Sequence, residues 1–115
     1  MQVLIIEDDD DLRHTIETGL SRSGFDVTVA SGGREGLEMV RSGSFNVVVT
    51  DIVMDQGEGI ETLRWIESEK PGTPVIGISG RGEYLRLMSD LGAAATLQKP
   101  FKIAELAKVI ESVAV

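Results

Sequence analysis

The residues best suited to chemistry stand where apolar runs end. Val3-Leu4-Ile5-Ile6 leads into Glu7-Asp8-Asp9, Val47-Val48-Val49-Thr50 into Asp51, Val75-Ile76-Gly77-Ile78 into Ser79, and Ala95-Thr96-Leu97-Gln98 into Lys99. If each run is a strand of one parallel sheet, the four ends share the carboxyl edge, where open α/β sheets bind their ligands. Glu7, Asp8 and Asp51 would then bring three carboxylates into one cavity, and their repulsion calls for a cation. An oxygen-only acidic set suits Mg²⁺, a hard ion that takes a few carboxylates and keeps room for water and a phosphate oxygen. Lys99 adds a compact charge able to pair with a carboxylate or a phosphoryl oxygen, and Ser79 adds a hydroxyl donor. Together these parts describe phosphoryl transfer. Asp51 attacks phosphorus, Lys99 and the metal neutralise the equatorial oxygens, and an aspartyl phosphate results.

Such convergence needs particular elements to carry it. Continuous apolar runs of four or five residues between turn signals are the pattern of strands buried on both faces. Between them lie helical periods. Leu12, Ile16 and Leu20 recur at four-residue spacing after an acidic start at Asp11, and Gly24 stops them, predicting a first helix. A strand over 25–30 follows. Further helices are predicted over 33–41, 60–68, 83–91 and 103–113, alternating with strands over 46–50, 73–78 and 95–98. Lys70-Pro71-Gly72 ends the third helix and Gly92 caps the fourth. Five strands alternating with five helices imply βαβ units with right-handed crossovers, hence an α/β doubly wound parallel sheet. Residues 1–115 read as one domain without linker, repeat or appended output domain.

Composition narrows the function classes. The chain is 42% hydrophobic and 26% charged, the balance of a packed domain rather than a disordered one. A net charge of −8 opposes direct nucleic-acid binding, which depends on Lys and Arg neutralising phosphates. No apolar run approaches the roughly 18 residues of a membrane span, and no basic leader precedes the first run, so the chain reads as cytoplasmic. The absence of cysteine excludes disulfides and thiol nucleophiles, and one histidine, His14, cannot build a zinc cluster. His14 reads as a solvated helix residue, and Trp65 and Tyr84 as packing or partner surface. The stretch Gly77-Ile78-Ser79-Gly80-Arg81-Gly82 lacks both the GxGxxG and the P-loop spacings, which leaves it a hinge-like loop.

Taken in order, Val3-Leu4-Ile5-Ile6-Glu7-Asp8-Asp9, Val48-Val49-Thr50-Asp51-Ile52-Val53-Met54, Gly59-Ile60-Glu61, Pro74-Val75-Ile76-Gly77-Ile78-Ser79-Gly80 and Lys99-Pro100-Phe101 resemble a receiver domain of the response-regulator family of two-component signalling. The resemblance spans essentially the whole chain. It implies a flavodoxin-like fold with strand order 2-1-3-4-5, Asp51 as phospho-acceptor, Asp8 as a direct Mg²⁺ ligand, and Glu7 as a ligand acting mainly through water. It also implies the Val53 backbone carbonyl as a further ligand, Ser79 as the switch hydroxyl, Lys99 as the phosphate-contacting lysine, and a cis Lys99-Pro100 bond. The partners implied are a sensor histidine kinase or phosphotransfer protein and a downstream protein target. Homodimerisation through the fourth helix, fifth strand and fifth helix is a family-level option.

Two positions depart from the family pattern. Thr96 stands where receivers commonly carry an inward-turning aromatic residue, so an aromatic rotamer switch is not expected, and readout either passes through the Ser79–Glu83 loop and the fourth helix or is smaller than usual. Asp55 stands where a proline often follows, adding a carboxylate near the cavity mouth. Val53 and Arg81, two places beyond the acceptor and the hydroxyl, are the side chains expected to govern water access to a phosphorylated Asp51. The alternatives are a degenerate receiver that binds partners without phosphorylation, motivated by Thr96 and by segments from Asp51 to Ser79 and from Ser79 to Lys99 slightly shorter than is common in the family, and a Mg²⁺-dependent phosphohydrolase. Against the latter, Asp51-Ile52-Val53-Met54-Asp55 lacks the Asp-x-Asp spacing of aspartyl-phosphate hydrolases and no substrate-capping insert is present.

Overall fold

The aliphatic runs form strands because β-branched side chains pack well on a pleated surface covered on both sides. A computed structural model describes residues 1–52 and 58–115. In it β1 (Gln2–Ile6), β2 (Asp26–Ala30), β3 (Val47–Asp51), β4 (Val75–Ser79) and β5 (Ala95–Gln98) alternate with α1 (Asp10–Arg22), α2 (Gly33–Ser42), α3 (Glu58–Glu69), α4 (Gly82–Asp90) and α5 (Ile103–Val113). The strands form one parallel sheet in the order β2-β1-β3-β4-β5. This is the α/β doubly wound, flavodoxin-like arrangement expected.

Three predicted strands begin late, the one over 46–50 by a single residue, at Val47. Thr73 donates its N–H to Lys70 O at 2.9 Å and Pro74 has none, so β4 opens at Val75. Phe25 donates to Leu20 O at 3.2 Å, which holds it in the exit turn of α1. Gly92, with φ 106°, takes the left-handed position after α4 that a side chain would strain.

Strand alternation splits the core in two. Leu4, Ile6, Val48 and Val75 pack with Val40 of α2, Leu63 and Ile66 of α3, and Leu85 and Met88 of α4. Val3, Ile5, Val47, Val49, Ile76 and Ile78 pack on the other face with Ile16 and Leu20 of α1 and Leu106 and Ile110 of α5. The three central strands are covered on both faces, which fixes their carboxyl ends. At the opposite edge Asn46 joins both ends of the chain: its Oδ1 accepts from Gln2 N at 2.7 Å, its backbone O accepts from Val115 N at 3.1 Å, and its Nδ2 donates to Val115 O. Among the described residues no helix is long and apolar enough to cross a membrane.

Gly59, in the first turn of α3, is there because nothing larger fits. A Cβ would lie 2.5 Å from Asp51 O, 2.5 Å from Ile52 Cα and 2.6 Å from Ile52 O, all main-chain atoms. Gly59→Ala gains up to about 1 kcal/mol of helix propensity but incurs about 1–3 kcal/mol of overpacking, so net destabilisation is expected. Gly82→Ala at the start of α4, where a Cβ meets nothing within 4 Å, is expected to be neutral or stabilising. Paired denaturant titrations read the opposite signs.

Candidate functional site

Sheet register aligns the polar groups. Ile6 and Thr50 are partners across β1 and β3, so Glu7 and Asp51, each one residue further, emerge side by side. Ser79 pairs with Gln98 across β4 and β5, and Lys99 N donates to Ser79 O at 2.8 Å, bringing the lysine to the same edge. Lys99 Nζ then bridges the two acids, donating to Asp51 Oδ2 at 2.6 Å and to Glu7 Oε1 at 2.8 Å. The Lys99 side chain is 24% exposed, whereas those of Glu7 and Asp51 are 0% and 6% exposed. Asp8 completes the group from an exposed position: one carboxylate oxygen from each of Glu7, Asp8 and Asp51 lies within 4.8 Å of the others.

Charge does not balance here. Three carboxylates face one ammonium, and burial of Glu7 is the main reason its carboxyl is pushed up to about 7 from 4.5. The hydrogen bond from Lys99 works against that rise, while the neighbouring charge and hydrogen bond of Asp51 add to it. Burial alone would lower the Lys99 ammonium, but its bonds to Asp51 and Glu7 prevail and hold it above 10.5. A cluster of oxygen donors with excess negative charge fits a hard divalent cation, with Glu7, Asp8 and Asp51 as the residues to hold it.

The linkage to folding has a definite sign. Between pH 4.5 and about 7 the folded chain retains a proton on Glu7 that the unfolded chain has released, so stability falls as pH rises across that window. The expected result is that the stability difference between wild type and Glu7→Gln, from denaturant titrations without divalent ions, moves against wild type from pH 4.5 to 7 and levels off above it.

The other expected residues are distributed as follows. Ser79 ends β4 fully buried, its Oγ accepting from Arg81 N at 3.1 Å. Arg81 is exposed ahead of α4 with its guanidinium 5.9 Å from the Tyr84 ring centroid. Thr96 is half-buried in β5 opposite Gly77, and the Met88 side chain of α4 covers that glycine, a Cβ on which would lie 3.0 Å from the terminal methyl. The Val53 carbonyl and Asp55 lie outside the described residues. The Lys99-Pro100 bond is cis. Beside it Leu12, Lys99, Pro100 and Phe101 line an open, mainly apolar groove of about 370 Å³.

Sequence reasoning missed Arg13. Its Nη1 donates to Glu7 O at 3.0 Å and its Nη2 to Asp10 Oδ1 at 2.6 Å, from a side chain 20% exposed. The only signal available was its spacing of three from Asp10.

Residues 3–111 match the family described as response regulator receiver domain. The chain is 31% identical over 108 residues to the response regulator MprA of Mycolicibacterium vanbaalenii, covering 92% of this chain and 47% of MprA. It is 35% identical over 114 residues to a transcriptional regulatory protein of Haemophilus influenzae named as a CpxR homolog, covering 97% of this chain and 49% of that protein. It thus spans about half the length of the curated relatives it matches. A response regulator receiver domain protein of Clostridium thermocellum superposes with a TM-score of 0.90 at 30% identity, over 97% of this chain and 92% of that one.

Proposed function

The chain belongs to the response regulator receiver family of two-component signalling, and on that premise we propose that it is a phosphorylation switch whose acceptor is Asp51. The observation that carries this reading is the Lys99 bridge between Glu7 and Asp51, with Asp8 at its open side, on the carboxyl edge of the sheet.

Asp51 Oδ is the nucleophile. It attacks the phosphorus of a phosphohistidine on a sensor kinase or phosphotransfer protein, the P–N bond breaks, and the imidazole leaves. Lys99 exchanges part of its carboxylate pairing for a phosphoryl oxygen, and the Ser79 hydroxyl, whose oxygen accepts from Arg81 N, turns its own hydrogen to donate to another. When bound by Glu7, Asp8 and Asp51, Mg²⁺ supplies charge neutralisation for the phosphoryl oxygens. Phosphorylation adds roughly −1.5 to −2 charges at pH 7, which redistributes the Ser79–Glu83 loop and α4 between states that bind a downstream partner differently.

Incubation with acetyl phosphate and Mg²⁺, followed by intact mass, tests the reading. One added phosphoryl group that disappears with EDTA supports it, and no addition, with no beryllofluoride binding, refutes it in favour of a phosphorylation-independent module. Because a divalent cation must displace the proton on Glu7, stabilisation by Mg²⁺ is expected to be larger at pH 8 than at pH 5. Arg81, two places beyond the hydroxyl, is expected to govern water access to the acyl phosphate, so Arg81→Ala should change phosphoryl lifetime, read as decay of the phosphorylated mass.

A further inference from the structure

Five consecutive carboxylates, Glu7 to Asp11, repel one another where β1 gives way to α1, and each neighbour of Asp8 is tied down. Glu7 holds Lys99 through Oε1 and accepts from Asp9 N at 3.2 Å through Oε2. Asp9 caps α1, its Oδ1 accepting from Leu12 N at 3.0 Å. Asp10 pairs with Arg13, and the same guanidinium bonds the Glu7 carbonyl, the main-chain atom at the peptide that leads into Asp8. Among the described residues Asp8 alone of Glu7, Asp8, Asp9 and Asp10 has no side-chain hydrogen bond or ion pair, and Asp11 lies beyond the turn, within α1. The turn is thus braced on both sides of one unengaged carboxylate.

We infer that Arg13 is a positioning residue that sets Mg²⁺ affinity by fixing the Glu7–Asp8 peptide, an inference that rests on the reading of Glu7, Asp8 and Asp51 as the metal site. Its pairing with Asp10, whose side chain is 86% exposed, carries little energy alone. The bond to the carbonyl is the consequential one, because it acts on the backbone that aims Asp8. Only a planar fork reaches both acceptors at once, so lysine is an incomplete substitute.

Two physical effects of removing Arg13 oppose each other. Losing a cation beside a cation site tightens Mg²⁺ binding, whereas losing a support of the ligand-bearing turn weakens it, typically by 10-fold or more. The sign of the change therefore identifies the role. Mg²⁺ titration by calorimetry on wild type, Arg13→Ala, Arg13→Gln and Arg13→Lys reads affinity, and amide hydrogen exchange without metal reads the turn itself. Expected are roughly 10-fold weaker binding in Arg13→Ala, partial recovery in Arg13→Lys, and faster exchange at Asp9 with little change in the strands. Unchanged or tighter Mg²⁺ binding in both Arg13→Ala and Arg13→Gln overturns the inference while leaving the metal site standing. Absence of Mg²⁺ binding by the wild-type chain removes the metal reading and the inference together.

Discussion

Asp51→Asn is expected to abolish phosphoryl acceptance. The amide is close in shape to the carboxylate but lacks the anionic nucleophile, and no neighbouring acid can replace it: Glu7 is buried beneath Lys99 and Asp8 is on the solvent side. Intact mass after acetyl phosphate and Mg²⁺ should stay at the unmodified value under conditions that modify wild type. The same substitution has a second signature. Asp51 raises the Glu7 carboxyl through its charge and through a hydrogen bond, so its removal should bring the Glu7 titration down from about 7 toward the ordinary carboxylate range. An aspartate placed elsewhere as acceptor would leave the mass gain intact in Asp51→Asn.

Lys99→Met should strike folding and chemistry together. Methionine keeps an unbranched aliphatic stem beside the groove but removes the ammonium that bridges Glu7 and Asp51. Breaking a buried pair by removing one partner costs about 3–5 kcal/mol, a loss that protonation of Glu7 relieves at low pH. The destabilisation is therefore expected to grow from pH 4.5 to above 7, and Mg²⁺ should recover more of it than it adds to wild type. Loss of one positive donor aimed at the transferred group should slow phosphorylation by about 10²–10³-fold. Denaturant melts in a double-mutant cycle with Asp51→Asn give the coupling. Since that background holds one carboxylate fewer, Lys99→Met should cost less there. Equal costs in both backgrounds would mean that the ion pair contributes little.

Most of the architecture was readable because periodicity and burial agree. Val47-Val48-Val49 and Val75-Ile76 can only be buried on both faces, and the Leu12, Ile16 and Leu20 spacing has one helical solution. Glu7, Asp51, Ser79 and Lys99 followed from strand ends, since parallel strands bring their carboxyl termini together whatever separates them in sequence. Strand starts were less legible. Phe25 and Thr73 carry strand-like side chains, yet their N–H groups complete turns behind the preceding helices, a preference that hydrophobicity does not encode. Arg13 was invisible for a related reason. An arginine in the first turns of a helix looks like any solvated charge until its acceptor is known, and here that acceptor is a main-chain carbonyl, which has no residue type to signal it. The cover of Gly77 by Met88 beside Thr96 was equally hidden, because it depends on which helix crosses which strand.

The Asn46 clasp also matters to anyone instrumenting the molecule. Gln2 and Val115 meet on one asparagine at the edge of the sheet across from Asp51, some five strand residues or about 16 Å away. Fluorophores fused to the two ends start as near neighbours and stay so whether or not Asp51 carries a phosphoryl group. Such a pair is a gauge of unfolding, while a reporter of signalling state needs one label beside the carboxyl edge.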